Sequence, residues 1–391
     1  MALIGAWACI SGGWAAVCKQ LETLDCSVRP RPFEPRKLIV PLNQSPRSGP
    51  RQRCAIAAGQ ALPARFRRQR VLIVGCGDVG QRLLRLWQRP GQDARAARGP
   101  LVRALSSSPQ RFESLRALGA TPLLGNLDDL RSLRRLAGLA QRVVHLAPPA
   151  QPAAGAAPAA ASRDLRTCHL LRALVGRAGQ APRLVYGSTS GVYGNWDGAW
   201  VTETHPLRAS TARALRRVDA ERQLRAWALR FGASGAAVHV LRIPGIYAGD
   251  REGGTPLGRL QRGTPLLRRE DDVYTSHIHA DDLARAVERA LWRGRPQRIT
   301  NVADDSAMPM GDYFDLAADL WRLPHPARIS LAEAEQQLSP TLLSFMRESR
   351  RLSNSRMRHE LGVVLRYQTV HHGLQAAVYL VGPGAAQGPD A

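Results

Sequence analysis

The sequence predicts an α/β fold: a doubly wound parallel sheet with a smaller C-terminal region that covers the substrate side. Three observations predict it. From Val71 onward, short apolar runs alternate with helix-patterned segments, the order expected of parallel strands joined by crossover helices. The first apolar run leads straight into a glycine-rich turn, Gly75 to Gly80. The chain of 391 residues is also long enough for one large α/β domain plus an accessory region.

The elements follow in order. Val71 to Val74 is a buried strand and Gln81 to Trp87 a helix, with Gly75, Gly77 and Gly80 between them at G-x-G-x-x-G spacing. Gly75 permits a tight turn, Gly77 lets the backbone approach a pyrophosphate, and Gly80 lets helix and strand pack closely. The helix N-terminus offers free N–H groups to phosphate oxygens, and Asp78 and Val79, in the turn before it, join the cofactor-binding set. This is the Rossmann-type arrangement for a dinucleotide. Leu101 to Leu105 is the second strand, Pro109 to Leu118 a helix, Thr121 to Leu124 the third strand and Asp128 to Leu136 a helix. Arg142 to Leu146 is the fourth strand, and the Ala/Pro stretch Ala147 to Ala161 a long loop. Ser162 or Asp164 caps a helix running to about Val175. Arg183 to Tyr186 is the fifth strand, Ser210 to Arg230 a long helix, and Ala237 to Arg242 the sixth strand.

Ligands of such a sheet bind beyond the carboxyl ends of its strands. Leu146, Ala147, Ser188 and Pro244 stand at or just past those ends and join the cofactor-binding set. The second strand ends on Ser106, where an acidic residue would bind the ribose 2′-OH of NAD; Ser107, Ser108, Arg103 and Arg111 are close by. Nothing there repels a 2′-phosphate, so the cofactor is NADP or NAD with a lean to NADP. Asn126 follows the third strand in G-N-L-D and joins the same set.

Composition narrows the rest. The net charge of +24 comes with only two lysines, Lys19 and Lys37, both upstream of the glycine loop. No mechanism needing a lysine within the nucleotide-binding domain is therefore available. The arginines are scattered through helices without a basic, aromatic-interleaved block, which argues against specific nucleic-acid binding and leaves weak, salt-sensitive binding. Six cysteines (Cys9, Cys18, Cys26, Cys54, Cys76 and Cys168) form no C-x-x-C pair, which favours reduced cytoplasmic thiols over a zinc site or disulfides. Met1 to Cys18 lacks the basic start of a secretory signal, and no membrane partner is expected. Residues 1–68 read as a disordered leader or the product of a start site placed too early. Residues 69–242 form the NAD(P)-binding domain, 243–375 the substrate-side region and 376–391 a flexible tail.

At the fifth strand the run R-L-V-Y-G-S-T-S-G-V-Y-G-N, Arg183 to Asn195, resembles the S-S/T-x-x-V-Y-G segment of extended short-chain dehydrogenases/reductases. The likeness continues through T-E-T-H-P-L (Thr202 to Leu207), D-A-E (Asp219 to Glu221) and L-R-I-P-G-I-Y (Leu241 to Tyr247). It ends with H-I-H-A-D-D-L-A (His277 to Ala284) and N-S-R-M-R-H-E-L-G (Asn354 to Gly362). The chain is most similar to atypical bacterial members described as NAD-dependent epimerase/dehydratase or sugar-nucleotide-epimerase-like proteins. The resemblance implies a Ser or Thr that polarises a carbonyl, a Tyr that passes a proton, and a Lys four residues later. It also implies that Asn126, where the family usually has Asp, lies beside the adenine and accepts from its amino group through the side-chain oxygen.

Carried onto this chain, the polarising hydroxyl falls on Thr189, with Ser188 beside it. The tyrosine position falls on Arg213 and the lysine position on Arg217, and no tyrosine lies between Tyr193 and Tyr247. Arginine stays charged at working pH and cannot act as general acid or base. Three substitutes stay open: Tyr193 as the acid, His145, His277 or His279 as titrating groups, and Arg213 with Arg217 as a bidentate anion clamp. Each has a structural counterpart, as a core tyrosine, a hydrogen-bonded strand-end histidine or a solvated helix face. Asp281 and Asp282 are expected to cap a helix rather than hold a metal. Two functions follow. One is an oxidoreductase or epimerase/dehydratase on a small polar, sugar-nucleotide-like substrate. The other is a non-catalytic NAD(P)-binding sensor or interaction protein.

Overall fold

The computed structural model describes residues 68–88, 99–151, 157–175 and 180–381. The proposed leader (but for its last residue), part of the Ala/Pro loop and most of the tail lie outside the described residues. So do Lys19, Lys37, Cys9, Cys18, Cys26 and Cys54.

Seven parallel strands make the central sheet: β1 Arg70–Val74, β2 Leu101–Ser106, β3 Thr121–Leu124, β4 Arg142–His145, β5 Arg183–Thr189, β6 Ala237–Ile243 and β7 Arg298–Asn301. Their spatial order is β7-β6-β5-β4-β1-β2-β3, so the chain winds outward in both directions from β1 and β4. That reversal opens a crevice at the carboxyl ends of β1 and β4. Period-two burial explains the layers. Val71 and Ile73 of β1 pack with helix α1 (Asp78–Gln88) and with Leu283, Ala286 and Val287 of a helix over Ala280–Arg293. Leu72 and Val74 face the other side, against Leu170 and Leu171 of α2 (Leu165–Leu174) and Leu224 and Trp227 of α3 (Ala212–Arg230).

The region beyond residue 242 has its own core, in which Tyr247, Leu266, Phe314, Trp321 and Leu374 are buried together. It is not cleanly separate from the sheet. β7 and the helix Ala280–Arg293, hereafter α4, lie beyond residue 242 yet complete the sheet and one of its layers. β7 escapes sequence reading because R-I-T-N holds a single large apolar side chain. The helix expected over Asp128 to Leu136 is only a 3-10 turn, Leu130–Leu133, capped by Asp129. Asp164 caps α2 by accepting from the N–H of Arg166 and Thr167, as one of the two expected caps. The cap of α4 is His279, whose Nδ1 accepts the Asp281 N–H, so the expected capping role of Asp281 and Asp282 is corrected. Asp281 instead binds Arg82, and buried Asp282 accepts the backbone N–H of Arg366 and Tyr367, both at 2.8 Å. No helix among the described residues is long and apolar enough to cross a membrane.

Candidate active site

A cavity of about 320 Å³ lies on the carboxyl ends of β1, β4, β5 and β6. Gly75, Gly77, Asp78, Val79, Gly80, Leu146, Ser188, Thr189, Arg217, Pro244 and Arg251 line it. The three glycines serve three geometries. Gly75 has φ +81°, and a Cβ there would sit 2.3 Å from the Ala147 backbone nitrogen. A Cβ on Gly77 would meet nothing within 4 Å, leaving open space on the cavity side. A Cβ on Gly80 would lie 3.1 Å from Cys76 Sγ and 3.5 Å from Ile73 Cγ2, the contact between helix and strand. The first turn of α1 starts at Asp78, where backbone N–H groups have no partner within the helix. A pyrophosphate fits this cradle: small residues, free donors and the positive end of a helix dipole.

The adenosine end differs in detail from expectation. Ser106 and Asn126 do not line the cavity, and Ala147 supports Gly75 from beneath. Ser106 Oγ bonds locally to Ser108, accepting from its N–H at 3.2 Å. Asn126 is exposed, and the oxygen expected to take the adenine amino group accepts the Asp128 N–H at 3.0 Å. That turn holds the loop instead. Arg103 donates to the Leu139 carbonyl at 2.9 Å, whereas Arg111 donates to the Cys76 carbonyl at 2.7 Å, beside the glycine loop. Burial pushes the Cys76 thiol up to about 11, so it stays protonated.

A second cavity of about 440 Å³ adjoins the first, and Thr189, Pro244 and Ile246 belong to both. Thr189 is half-buried at the end of β5; its Oγ1 accepts the Gly191 N–H at 3.2 Å, leaving the hydroxyl proton to donate. Arg217 donates to the Gly187 carbonyl at 2.8 Å and the Tyr186 hydroxyl at 3.0 Å. Arg213 lines the second cavity with its guanidinium over the Phe345 ring, 4.1 Å from the centroid. The structure thus places Thr189 where the cavities meet, Arg217 on the wall of the first and Arg213 on the wall of the second.

It does not bring Tyr193 there. The Tyr193 ring is fully buried under the Arg242 guanidinium, and its hydroxyl donates to Asn301 Oδ1 at 2.7 Å. It lines neither cavity, so the expectation of Tyr193 as proton donor is corrected: it is a core residue. His145 is buried against Thr167 Oγ1 at 3.1 Å, and burial beside the Arg217 cation lowers its pKa to about 3. His279 caps α4 and stacks on Tyr367. Among the three histidines, His277 alone lines either cavity; burial lowers it to about 4, which keeps it neutral at pH 7. No cluster of three or more His, Cys, Asp or Glu able to hold a metal occurs among the described residues.

A sequence profile of the NAD dependent epimerase/dehydratase family matches residues 71–303, more than half of the chain. This chain belongs to the NAD dependent epimerase/dehydratase family. Among solved structures, a functionally unknown conserved protein from Silicibacter pomeroyi is 30% identical, with a TM-score of 0.63 over 80% of this chain and 98% of that one. MoeE5 in complex with UDP-glucose and NAD is 23% identical, with a TM-score of 0.59 over 79% and 97%. UDP-glucose 4-epimerase with UDP-glucose from Thermotoga maritima is 18% identical, with a TM-score of 0.61 over 79% and 97%. No curated protein sequence matches.

Within this epimerase/dehydratase-family chain, several site residues escaped sequence reading. Ser188 is not free: its hydroxyl donates to Glu221 Oε1 at 2.6 Å, and Glu221 is paired with buried Arg242 at 2.7 Å. The letters of D-A-E and L-R-I-P-G are legible, but the ion pair they make between α3 and β6 is not. Arg251, Arg259 and Arg350 reach the cavities from loops and a short helix whose composition resembles the arginine-rich background.

Proposed function

We propose that this family member is an NAD(P)-dependent oxidoreductase or epimerase/dehydratase acting on a small polar substrate. The cofactor occupies the glycine-lined cavity and the substrate the adjoining one. The observation that carries this reading is the junction at Thr189, the one hydroxyl side chain among the described residues that lines both cavities. The cofactor, when bound, supplies or accepts a hydride. Thr189 donates a hydrogen bond to the substrate oxygen at the reacting carbon, stabilising negative charge as it develops there. Arg217 holds the Gly187 carbonyl and Tyr186 hydroxyl, fixing the β5 end that carries Thr189. Arg111, beside the glycine loop, favours NADP by offering a guanidinium to a 2′-phosphate. The solved structures that hold NAD or UDP-glucose support the class of cofactor and leave the substrate of this chain to be found.

The test has two parts. NADPH is expected to bind at least 10-fold tighter than NADH, a difference of about 1.4 kcal/mol that Arg111→Ala removes. With a substrate in hand, Thr189→Val is expected to lower kcat at least 10-fold; unchanged turnover would overturn the reading of the junction.

A second reading, a non-catalytic NAD(P)-binding protein, is favoured by one observation. Tyr193 is engaged by Asn301, and arginines stand at 213 and 217, where the family's mechanism has a tyrosine and a lysine. Replacing Arg213→Tyr together with Arg217→Lys distinguishes the two. Reductase turnover gained by the double variant and absent from wild type would favour the binding protein.

A further inference from the structure

Arg259 is an unusual side chain. It lies on the short helix Leu257–Gln261 and lines the second cavity. Its guanidinium sits over the Phe314 ring, 4.3 Å from the centroid. Its Nε and Nη2 are buried and have no hydrogen-bond partner, and no carboxylate among the described residues pairs with it. Burial and the neighbouring Arg262 cation lower its pKa to about 10, still leaving it charged at pH 7. Two buried guanidinium nitrogens without a partner are costly on a half-buried cation, because neither a hydrogen bond nor a carboxylate repays their lost hydration.

The other charges around the cavity do not relieve it. Arg213, Arg259 and Arg350 line the wall against one acid, Glu348, and Glu348 binds Arg350 at 2.9 Å. Three cations less one anion leave a net charge of +2 on the lining, since His277 is neutral. Around them stand Tyr274, Tyr313, Phe314 and Phe345. A neutral polyol would leave both charges unanswered. An oxyanion on a body able to pack against rings would answer one of them and bury apolar surface as well.

We infer that Arg259 is the seat for an anionic group of the substrate, a carboxylate or a phosphate monoester carried on a compact body that packs against the aromatic wall. This rests on the reading of the second cavity as the substrate chamber and adds the charge of the substrate to it. Arg259 is a binding residue here, holding one end of the ligand while the reacting end reaches Thr189.

The test uses the full chain, with and without NADPH, and three probes: benzoate, phenyl phosphate and benzamide, the neutral counterpart of benzoate. Calorimetry is expected to show at least one anion binding 10-fold or more tightly than benzamide, and which anion wins tells carboxylate from phosphate. Arg259→Met should reduce that preference to within about twofold, and Arg259→Lys should keep part of it, because a point charge loses the planar fork. NADPH affinity should stay within twofold of wild type in both variants. A further readout separates ligand binding from a structural role. Without ligand, Arg259→Met should melt at or above the wild-type temperature, since it removes a half-buried charge whose buried nitrogens have no partner. The proposal falls if wild type binds benzamide as well as the anions, if Arg259→Met retains the preference, or if Arg259→Met melts well below wild type. Failure to bind NADPH would instead overturn the proposed function, with the anion titration of the cofactor-free chain still reporting on Arg259.

Discussion

At the scale of single residues, the glycine loop shows three identical side chains required for different reasons. Gly75 adopts a left-handed conformation with Ala147 pressed against it, so both strain and collision oppose a Cβ. Gly77 faces open space, and only a ligand would object to a side chain there. Gly75→Ala is therefore expected to lower folding stability by at least about 1 kcal/mol in urea denaturation. Gly77→Val is expected to unfold close to the wild-type midpoint while NADPH affinity drops at least 10-fold in a fluorescence titration. A Gly77→Val variant that binds NADPH normally would make the loop a purely structural turn. The spacing was legible because it encodes backbone requirements that any sheet-to-helix turn over a pyrophosphate shares. Tyr193 was not legible in the same way: its fate is decided by Asn301, 108 residues along the chain, and no local pattern carries that contact.

At the scale of elements, one arginine fastens three of them. Arg82 of α1 is nearly buried and donates to Asp78 at 2.9 Å, to Asp250 at 2.5 Å and to Asp281 of α4 at 2.5 Å. Arg251 closes the group by donating to the second oxygen of Asp78 at 2.6 Å. The loop carrying Asp250 and Arg251 is thereby clasped to the start of α1, beside the glycine turn. Arg82→Met removes the shared donor and leaves three carboxylates close together. It is expected to cost about 2 kcal/mol or more, below the full penalty of breaking a buried pair because Asp250 is half exposed. Urea midpoints in low and high salt check this, with salt recovering part of the loss by screening the carboxylates. A variant as stable as wild type would reduce the clasp to a surface feature. Elements as such were well legible: β1 to β6 and the long helices follow from apolar period and caps. β7 was not, nor the 3-10 turn at Leu130–Leu133, because short segments hold too few residues for a period to be visible.

At the scale of the whole molecule, buried titratable groups set opposing slopes of stability against pH. His145, His239 and His277 have folded pKa values lowered by burial to about 3, 4 and 4, and His279 is lowered in the same sense. In the unfolded chain they titrate near 6.5. Below that pH the unfolded state binds more protons than the folded one, so their contribution is complete above 6.5 and is lost as pH falls toward 4. Asp304 acts oppositely: burial raises it to about 8, against an unfolded value near 3.9. Its contribution is complete below the unfolded value and is lost as pH rises through 8. Burial also raises Asp272 and Asp282, which adds to the same sense at the acid end. Between pH 4 and 6.5 four histidines outweigh these acids and stability climbs with pH. From 6.5 to 8 Asp304 dominates, with exposed His325, raised by its hydrogen bond to Asp319, acting in the same sense, and stability declines. Denaturant midpoints at pH 5, 6.5 and 8 are therefore expected to peak at the middle value. Asp304→Asn tests the cause, because the amide cannot ionise and fills the same space. It should flatten the fall between 6.5 and 8 while leaving the loss at pH 5 intact. A decline above pH 6.5 that survives the substitution would assign it to another group.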